Sequence, residues 1–169
     1  RAAEQDDVLL PAADRLAEAD EDEHEDDEAL EHDDAHRAGR RQAAAREAEG
    51  DDGVDRLYGS AGNDTLNGGN GDDWLEGGAG NGSLTGAANN DTYFLSGIFG
   101  TDTISGFGDV AGNQDLIAFS SSVVPNFATL QTNMVQSGAN VQINLVGVGS
   151  VIVTGVQLNT LGADDFLFL

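Results

Sequence analysis

From Gly50 to Gly86 a glycine returns at every ninth residue, and that period fits neither an amphipathic helix nor an alternating hairpin ladder. The units read Gly50-Asp-Asp-Gly-Val-Asp-Arg-Leu-Tyr58, Gly59-Ser-Ala-Gly-Asn-Asp-Thr-Leu-Asn67 and Gly68-Gly-Asn-Gly-Asp-Asp-Trp-Leu-Glu76. Gly77-Gly-Ala-Gly-Asn-Gly-Ser-Leu-Thr85 and Gly86-Ala-Ala-Asn-Asn-Asp-Thr-Tyr-Phe94 follow without a gap. A fixed short period signals stacked, solenoid-type structure. Each unit joins a turn half to a strand half of three residues. Glycines at positions one and four permit backbone angles that a Cβ resists. Only position eight (Leu57, Leu66, Leu75, Leu84, Tyr93) has a consistent reason to be buried. Two units per turn stack the short strands in parallel and send these side chains inward. A flexible Gly/Asn/Asp linker would not keep leucine at position eight through four consecutive units.

Stacking creates an electrostatic problem. Residues two units apart come to lie about 4.8 Å apart, the spacing of paired strands. Asp55, Asp73 and Asp91 then form one column, with Asp64 in the other. Two carboxylates about 5 Å apart repel by roughly 1 kcal/mol in water, and by several at a protein surface. Between Gly50 and Leu169 the chain supplies one cationic side chain, Arg56, so the counter-charge must come from outside. Carboxylates and turn carbonyls, with no histidine or cysteine in reach, make an all-oxygen site. Such a site suits calcium rather than zinc or copper, and suits magnesium less because that ion demands near-ideal octahedral geometry.

The units resemble the calcium-binding nonapeptide G-G-x-G-x-D-x-U-x of RTX (hemolysin-type) proteins. The resemblance implies an all-β fold, a parallel β-roll, with calcium held between coils by position-six aspartates and turn carbonyls. Carried over by position, the carboxylate ligands are Asp55, Asp64, Asp73 and Asp91, with carbonyls that include those of Gly53, Gly62, Gly69 and Gly71. Two departures matter. Gly82 replaces the aspartate of the fourth unit, and Asn89 replaces the position-four glycine of the fifth. Complete sites are therefore expected at Asp55/Asp73 and Asp73/Asp91, and an incomplete one at Asp64. A degenerate sixth unit, Gly97-Ile-Phe-Gly-Thr-Asp-Thr-Ile-Ser105, follows a two-residue insertion and places Asp102 on the Asp64 side.

Three segments emerge. Residues 1–49 hold 18 acidic residues, six arginines and all three histidines, and Asp20–Glu28 is acidic at eight of nine positions. Like charges at helical spacing oppose helix there, so a disordered or fraying, partly helical segment is expected. Residues 50–105 are the roll. Residues 106–169 carry no charge between Asp115 and Asp164, and β-type runs at Leu116–Phe119, Val141–Val146 and Val151–Val156 predict a small sheet or sandwich. Ser137-Gly138 and Val148-Gly149 are its expected turns. This β cap covers the roll's open end, whose strand groups would otherwise be unpaired. Asp102–Phe107, Asp115–Phe119 and the ending Leu161–Leu169 resemble the C-terminal flank of RTX proteins as well.

The net charge of −24 argues against nucleic acid and anionic membrane as partners. No stretch is long and apolar enough to span a bilayer, no signal-peptide core is visible, and the absence of cysteine rules out disulfides and thiolate metal sites. His24-Glu25-Asp26-Asp27-Glu28 begins like a zincin helix but has Glu28 where the second histidine belongs. His32 and His36 sit at helical spacing without a third ligand, and read more simply as a solvated face. Ser83 and Ser120-Ser121-Ser122 have no histidine base anywhere after His36. No catalytic constellation is present. Trp74 and Tyr58, at positions seven and nine, face outward and read as surface aromatics before they read as a glycan or partner contact.

The reading is a calcium-binding module of a secreted, extracellular bacterial protein, folded by calcium after export. The resemblance adds the type I secretion machinery as a partner, through the acidic-then-apolar end Asp164-Asp165-Phe-Leu-Phe-Leu169. Two other readings stay open: the tail of a secreted protease or lipase whose enzyme domain lies upstream, and a calcium-rigidified adhesin or matrix module.

Overall fold

Each repeat forms one short strand, and successive strands fall alternately on two sheets. The structure, a computed structural model, describes residues 41–42, 47–108 and 114–169. The segment up to residue 40, with the expected acidic disorder and the three histidines, lies outside the described residues. In one sheet, β1 (Arg41–Gln42), β3 (Arg56–Tyr58), β5 (Trp74–Glu76), β7 (Thr92–Leu95), β9 (Leu116–Phe119) and β13 (Phe166–Phe168) lie in that order, all parallel. The other runs β2 (Glu47–Glu49), β4 (Thr65–Asn70), β6 (Ser83–Ala88), β8 (Thr101–Ser105), β12 (Gly149–Val153), β11 (Asn140–Leu145) and β10 (Met134–Ser137). It is parallel from β2 to β12 and antiparallel from there to β10.

Register explains the core. Leu57, Leu75, Tyr93 and Ile117 stack in one column, and Leu66, Leu84, Ile104 and Val153 in the other, all buried. Burying each such side chain contributes roughly 2 kcal/mol. Tyr93 fits the leucine slot because its polar end is answered. Its hydroxyl accepts the Gly86 N–H (2.8 Å) and donates to the Ser105 carbonyl (3.4 Å).

Several expectations need correction at the edges. Residue 50 does not open the roll, for Glu47–Glu49 pairs with Thr65–Asn67 and Ala48 packs against the core in the leucine column. This earlier stretch lacks the glycines that mark the other units. At the far end, the expected β cap is built onto the roll's own sheets: β9 and β13 continue one, and β12, β11 and β10 the other. The first expected turn falls at Gly138-Ala139, with Ser137 ending β10, and the second lies just before Gly149, which already belongs to β12. A short helix, α1 (Phe127–Gln131), is capped by Asn126, whose side chain accepts the Thr129 N–H. Phe127 stacks on Phe166 of β13 (5.6 Å), bringing the helix to the end of the roll with Leu130 buried beneath it. No helix among the described residues is long and apolar enough to cross a membrane.

Candidate metal centre

The turns that lead into the two sheets place the aspartates in two stacks. On one side, the backbone N–H of Asp55 donates to Oδ1 of Asp73 (2.8 Å) and that of Asp73 to Oδ1 of Asp91 (2.9 Å). The N–H of Asp91 then donates to Oδ1 of Asp115 (3.0 Å). On the other side, the Gly82 N–H donates to Oδ1 of Asp102 (2.7 Å). Each of these carboxylates is thus held from the preceding coil through one oxygen. The second oxygen is different: Oδ2 of Asp64, Asp73, Asp91 and Asp102 is buried with no hydrogen-bond partner. Leaving a buried charged oxygen unanswered costs several kcal/mol, so four in one motif mark places where a ligand atom belongs.

Acidity reports the same strain. Burial pushes Asp73 up to about 6, helped by the neighbouring charges of Asp55 and Asp72 and opposed by the hydrogen bond from Asp55. Asp91 rises to about 7, again mainly by burial, with Asp115, Asp73 and Asp72 adding repulsion. Asp102 rises to about 6 by burial alone, against the hydrogen bond from Gly82.

Position-one glycines serve these carboxylates by their size. A Cβ on Gly50, Gly59, Gly68 or Gly86 would collide with Oδ2 of Asp55, Asp64, Asp73 or Asp91, the aspartate of its own unit. This corrects the expectation that position one needs glycine for its backbone angles. The positive φ angles fall at positions two and four, among them Gly62 (140°) and Gly71 (135°). Three of these positions carry side chains nonetheless, Ser60 (φ 73°), Ala87 (φ 77°) and Asn89 (φ 81°). Of the expected carbonyls, those of Gly53 and Gly62 lie against the next coil. The Gly53 carbonyl abuts Gly71, the Gly62 carbonyl abuts Gly80, and Gly69 lies against the carbonyls of Gly50 and Asp51.

Asp115 is a site residue that the repeat period does not reveal. Its partner strand lies 24 residues back, not 18, because a longer loop precedes it (Thr92 pairs with Leu116). Its two oxygens are both taken, Oδ1 by Asp91 and Oδ2 by the Gly108 N–H (2.7 Å). Asp115 therefore closes its stack with a backbone N–H where Asp73 and Asp91 present a bare oxygen. Trp74 is half-buried and stacks on Phe94 (5.0 Å), while Ser120 and Ser122 bond each other (2.8 Å). No three His, Cys, Asp or Glu side chains converge among the described residues. Any cation here would be held by carboxylate pairs completed with turn carbonyls. Such an all-oxygen donor set fits a hard, flexibly coordinated ion such as calcium.

Comparison with known proteins identifies the repeat. Residues 49–84 match the RTX calcium-binding nonapeptide repeat in four copies. No curated protein matches the chain. Among solved structures, the extracellular lipase LipA from Serratia marcescens is similar over 73% of this chain at 24% identity, with a TM-score of 0.46. The chain spans 21% of the length of that lipase. Over residues 49–84, then, this chain is built of RTX calcium-binding nonapeptide repeats, wound as a parallel β-roll.

Proposed function

We propose that the roll is a calcium-dependent folding switch for export. The observation that carries this reading is the set of buried, unanswered Oδ2 atoms on Asp64, Asp73, Asp91 and Asp102. Where calcium is scarce, the stacked carboxylates repel and nothing satisfies these atoms, so the chain remains unfolded and able to thread a type I export channel. Outside the cell, calcium near the millimolar range that extracellular modules sense neutralises both stacks. Metal free energy then becomes folding free energy.

In this reading Asp55/Asp73 and Asp73/Asp91 hold calcium on one side, with the Gly53, Gly69 and Gly71 carbonyls available there. Asp64 and Asp102 serve the other side with the carbonyl of Gly62. The acidic-then-apolar end, Asp164-Asp165 followed by Phe166–Leu169, would engage the secretion machinery before folding, and afterwards dock as β13 on β9.

Far-UV circular dichroism of the chain during a calcium titration, with magnesium as control, tests the switch. A cooperative gain of β signal with calcium alone is expected. Asp73→Ala, which removes a ligand from two sites, should move that transition to higher calcium or abolish it. An unchanged transition in that variant would overturn the assignment.

A further inference from the structure

Each stack of aspartates is accompanied by a second ladder that runs in the opposite sense. Within the repeats, the N–H groups at positions one and four point to main-chain carbonyls of the next coil. Gly50 reaches Asn67, Gly53 reaches Asn70, and Gly62 reaches Ala79. Position seven points back, Trp74 to Asp55 and Ser83 to Asp64. Positions five and six are answered by side chains instead. At position six the carboxylate of the later coil reaches back to the earlier N–H, as described above.

At position five the direction reverses, and the side chain of the earlier coil reaches forward. Asn63 Oδ1 accepts the Asn81 N–H (3.0 Å), and Asn81 Oδ1 accepts the Thr101 N–H (2.7 Å). On the other side, Asp72 Oδ1 accepts the Asn90 N–H (3.0 Å), and Asn90 Oδ1 accepts the Gln114 N–H (2.8 Å). Each donating N–H belongs to the residue just before a stack position: Gly82, Asp102, Asp91 and Asp115. Where the stack residue is an aspartate (Asp91, Asp102, Asp115), the bond fixes the peptide that aims its carboxylate. The Asn63 bond fixes the peptide whose Gly82 N–H is accepted by Asp102. These bonds survive a two-residue insertion before Thr101 and the longer loop before Gln114, so they do not depend on the strict nine-residue period.

We propose that Asn63, Asp72, Asn81 and Asn90 are positioning residues that couple one calcium-binding turn to the next. This rests on the reading of the stacks as calcium sites. The side chains are exposed. Once a cation orders a turn, the position-five oxygen of that turn presents a fixed acceptor to the following coil. The following carboxylate is then aimed before its own cation arrives, and occupancy spreads along the roll. The first unit supplies an internal contrast: its position five is Val54, which has no acceptor and is 57% exposed.

Calcium binding to the full chain, followed by calorimetry for the number of ions and by circular dichroism for steepness, tests the coupling in wild type, Asn90→Ala and Asn90→Asp. Losing one backbone hydrogen bond of about 1 kcal/mol should raise the half-saturating calcium of Asn90→Ala about fivefold. The transition should also become shallower, with the number of bound ions unchanged. Asn90→Asp keeps the acceptor, as Asp72 does, and should restore the steepness, which a loss of general stability would not explain. Wild-type steepness in Asn90→Ala overturns the proposal, and so does loss of an ion, which would make Asn90 a ligand. Val54→Asn adds an acceptor and removes none. It should sharpen the transition, and an unsharpened transition counts against the coupling even if Asn90→Ala fails to fold. A wild-type chain that ignores calcium would instead refute the calcium reading itself, and the coupling with it.

Discussion

Asp102 occupies the space that Gly82 leaves: its Oδ1 accepts the Gly82 N–H at 2.7 Å, and a Cβ on Gly82 would lie 3.0 Å from that same oxygen. Elsewhere in the roll the position-one glycine faces the carboxylate of its own unit. At Gly77 that neighbour is absent, and a Cβ would meet Leu84 Cδ2 at 3.5 Å and Oδ2 of Asp102 at 3.6 Å. One carboxylate from the degenerate sixth unit thus serves two coils. Asp102→Asn keeps the acceptor for Gly82 and removes the charge. The expected result is a higher melting temperature without calcium and fewer calcium ions bound at saturation, read by thermal denaturation and calorimetry.

Acidification should substitute in part for calcium. The carboxyls of Asp73, Asp91 and Asp102 hold their protons more tightly in the fold than the ordinary value of 3.8, up to about 6, 7 and 6. A raised folded value stabilises the fold fully below the unfolded value, and that stability is lost as pH rises through the folded one. For Asp73 the rise corresponds to roughly 3 kcal/mol. In chelator, the β signal should therefore grow between about pH 7 and pH 4, and half-saturating calcium should fall as pH rises over the same interval. Circular dichroism at fixed temperature across that range checks both signs.

Gly86 at position one and Gly53 at position four should respond differently to alanine. In Gly86→Ala the new methyl group would strike the Asp91 carboxylate, so calcium affinity should drop by at least tenfold. In Gly53→Ala the methyl group meets nothing within 4 Å, but the φ of 122° is strained for alanine. That variant should lose about 1–2 kcal/mol of stability and keep its calcium sites, since backbone strain of this kind costs about that much. Parallel calcium titrations and melts separate the two roles.

Ala87 already sits at a φ of 77°, where glycine is at ease. Ala87→Gly should stabilise the calcium-loaded fold by about 1 kcal/mol, set by the relief of left-handed strain against glycine's greater freedom in the unfolded chain. No gain in melting temperature with calcium present would refute this account of the fifth unit.

Sequence reasoning reached the features that repeat without interruption. The leucines at position eight, the aspartates at position six and the two-residue insertion before Asp102 all follow from counting, and the paired columns match that count. Features that break the count were hidden. Glu47–Glu49 joins a sheet with Ala48 in place of leucine and no glycine to announce it, because strand pairing and a small buried side chain suffice at an edge. Asp115 sits behind a loop whose length obscures its equivalence to Asp91. The work of position five was also invisible, since an exposed Asn or Asp in a turn reads as a local turn former until its partner in the next coil is seen.

The alternation of strands between two sheets has a consequence for how such a chain can change length. A deletion or duplication of 18 residues preserves every column, because each remaining strand stays in its own sheet and each aspartate on its own side. A change of nine would send every following strand to the opposite sheet, carrying Asp91 to the side of Asp64. Asp115 and the C-terminal strands would exchange places with partners shaped for other neighbours. Length in this part of the molecule is effectively quantised, with the full coil rather than the single repeat as its smallest step.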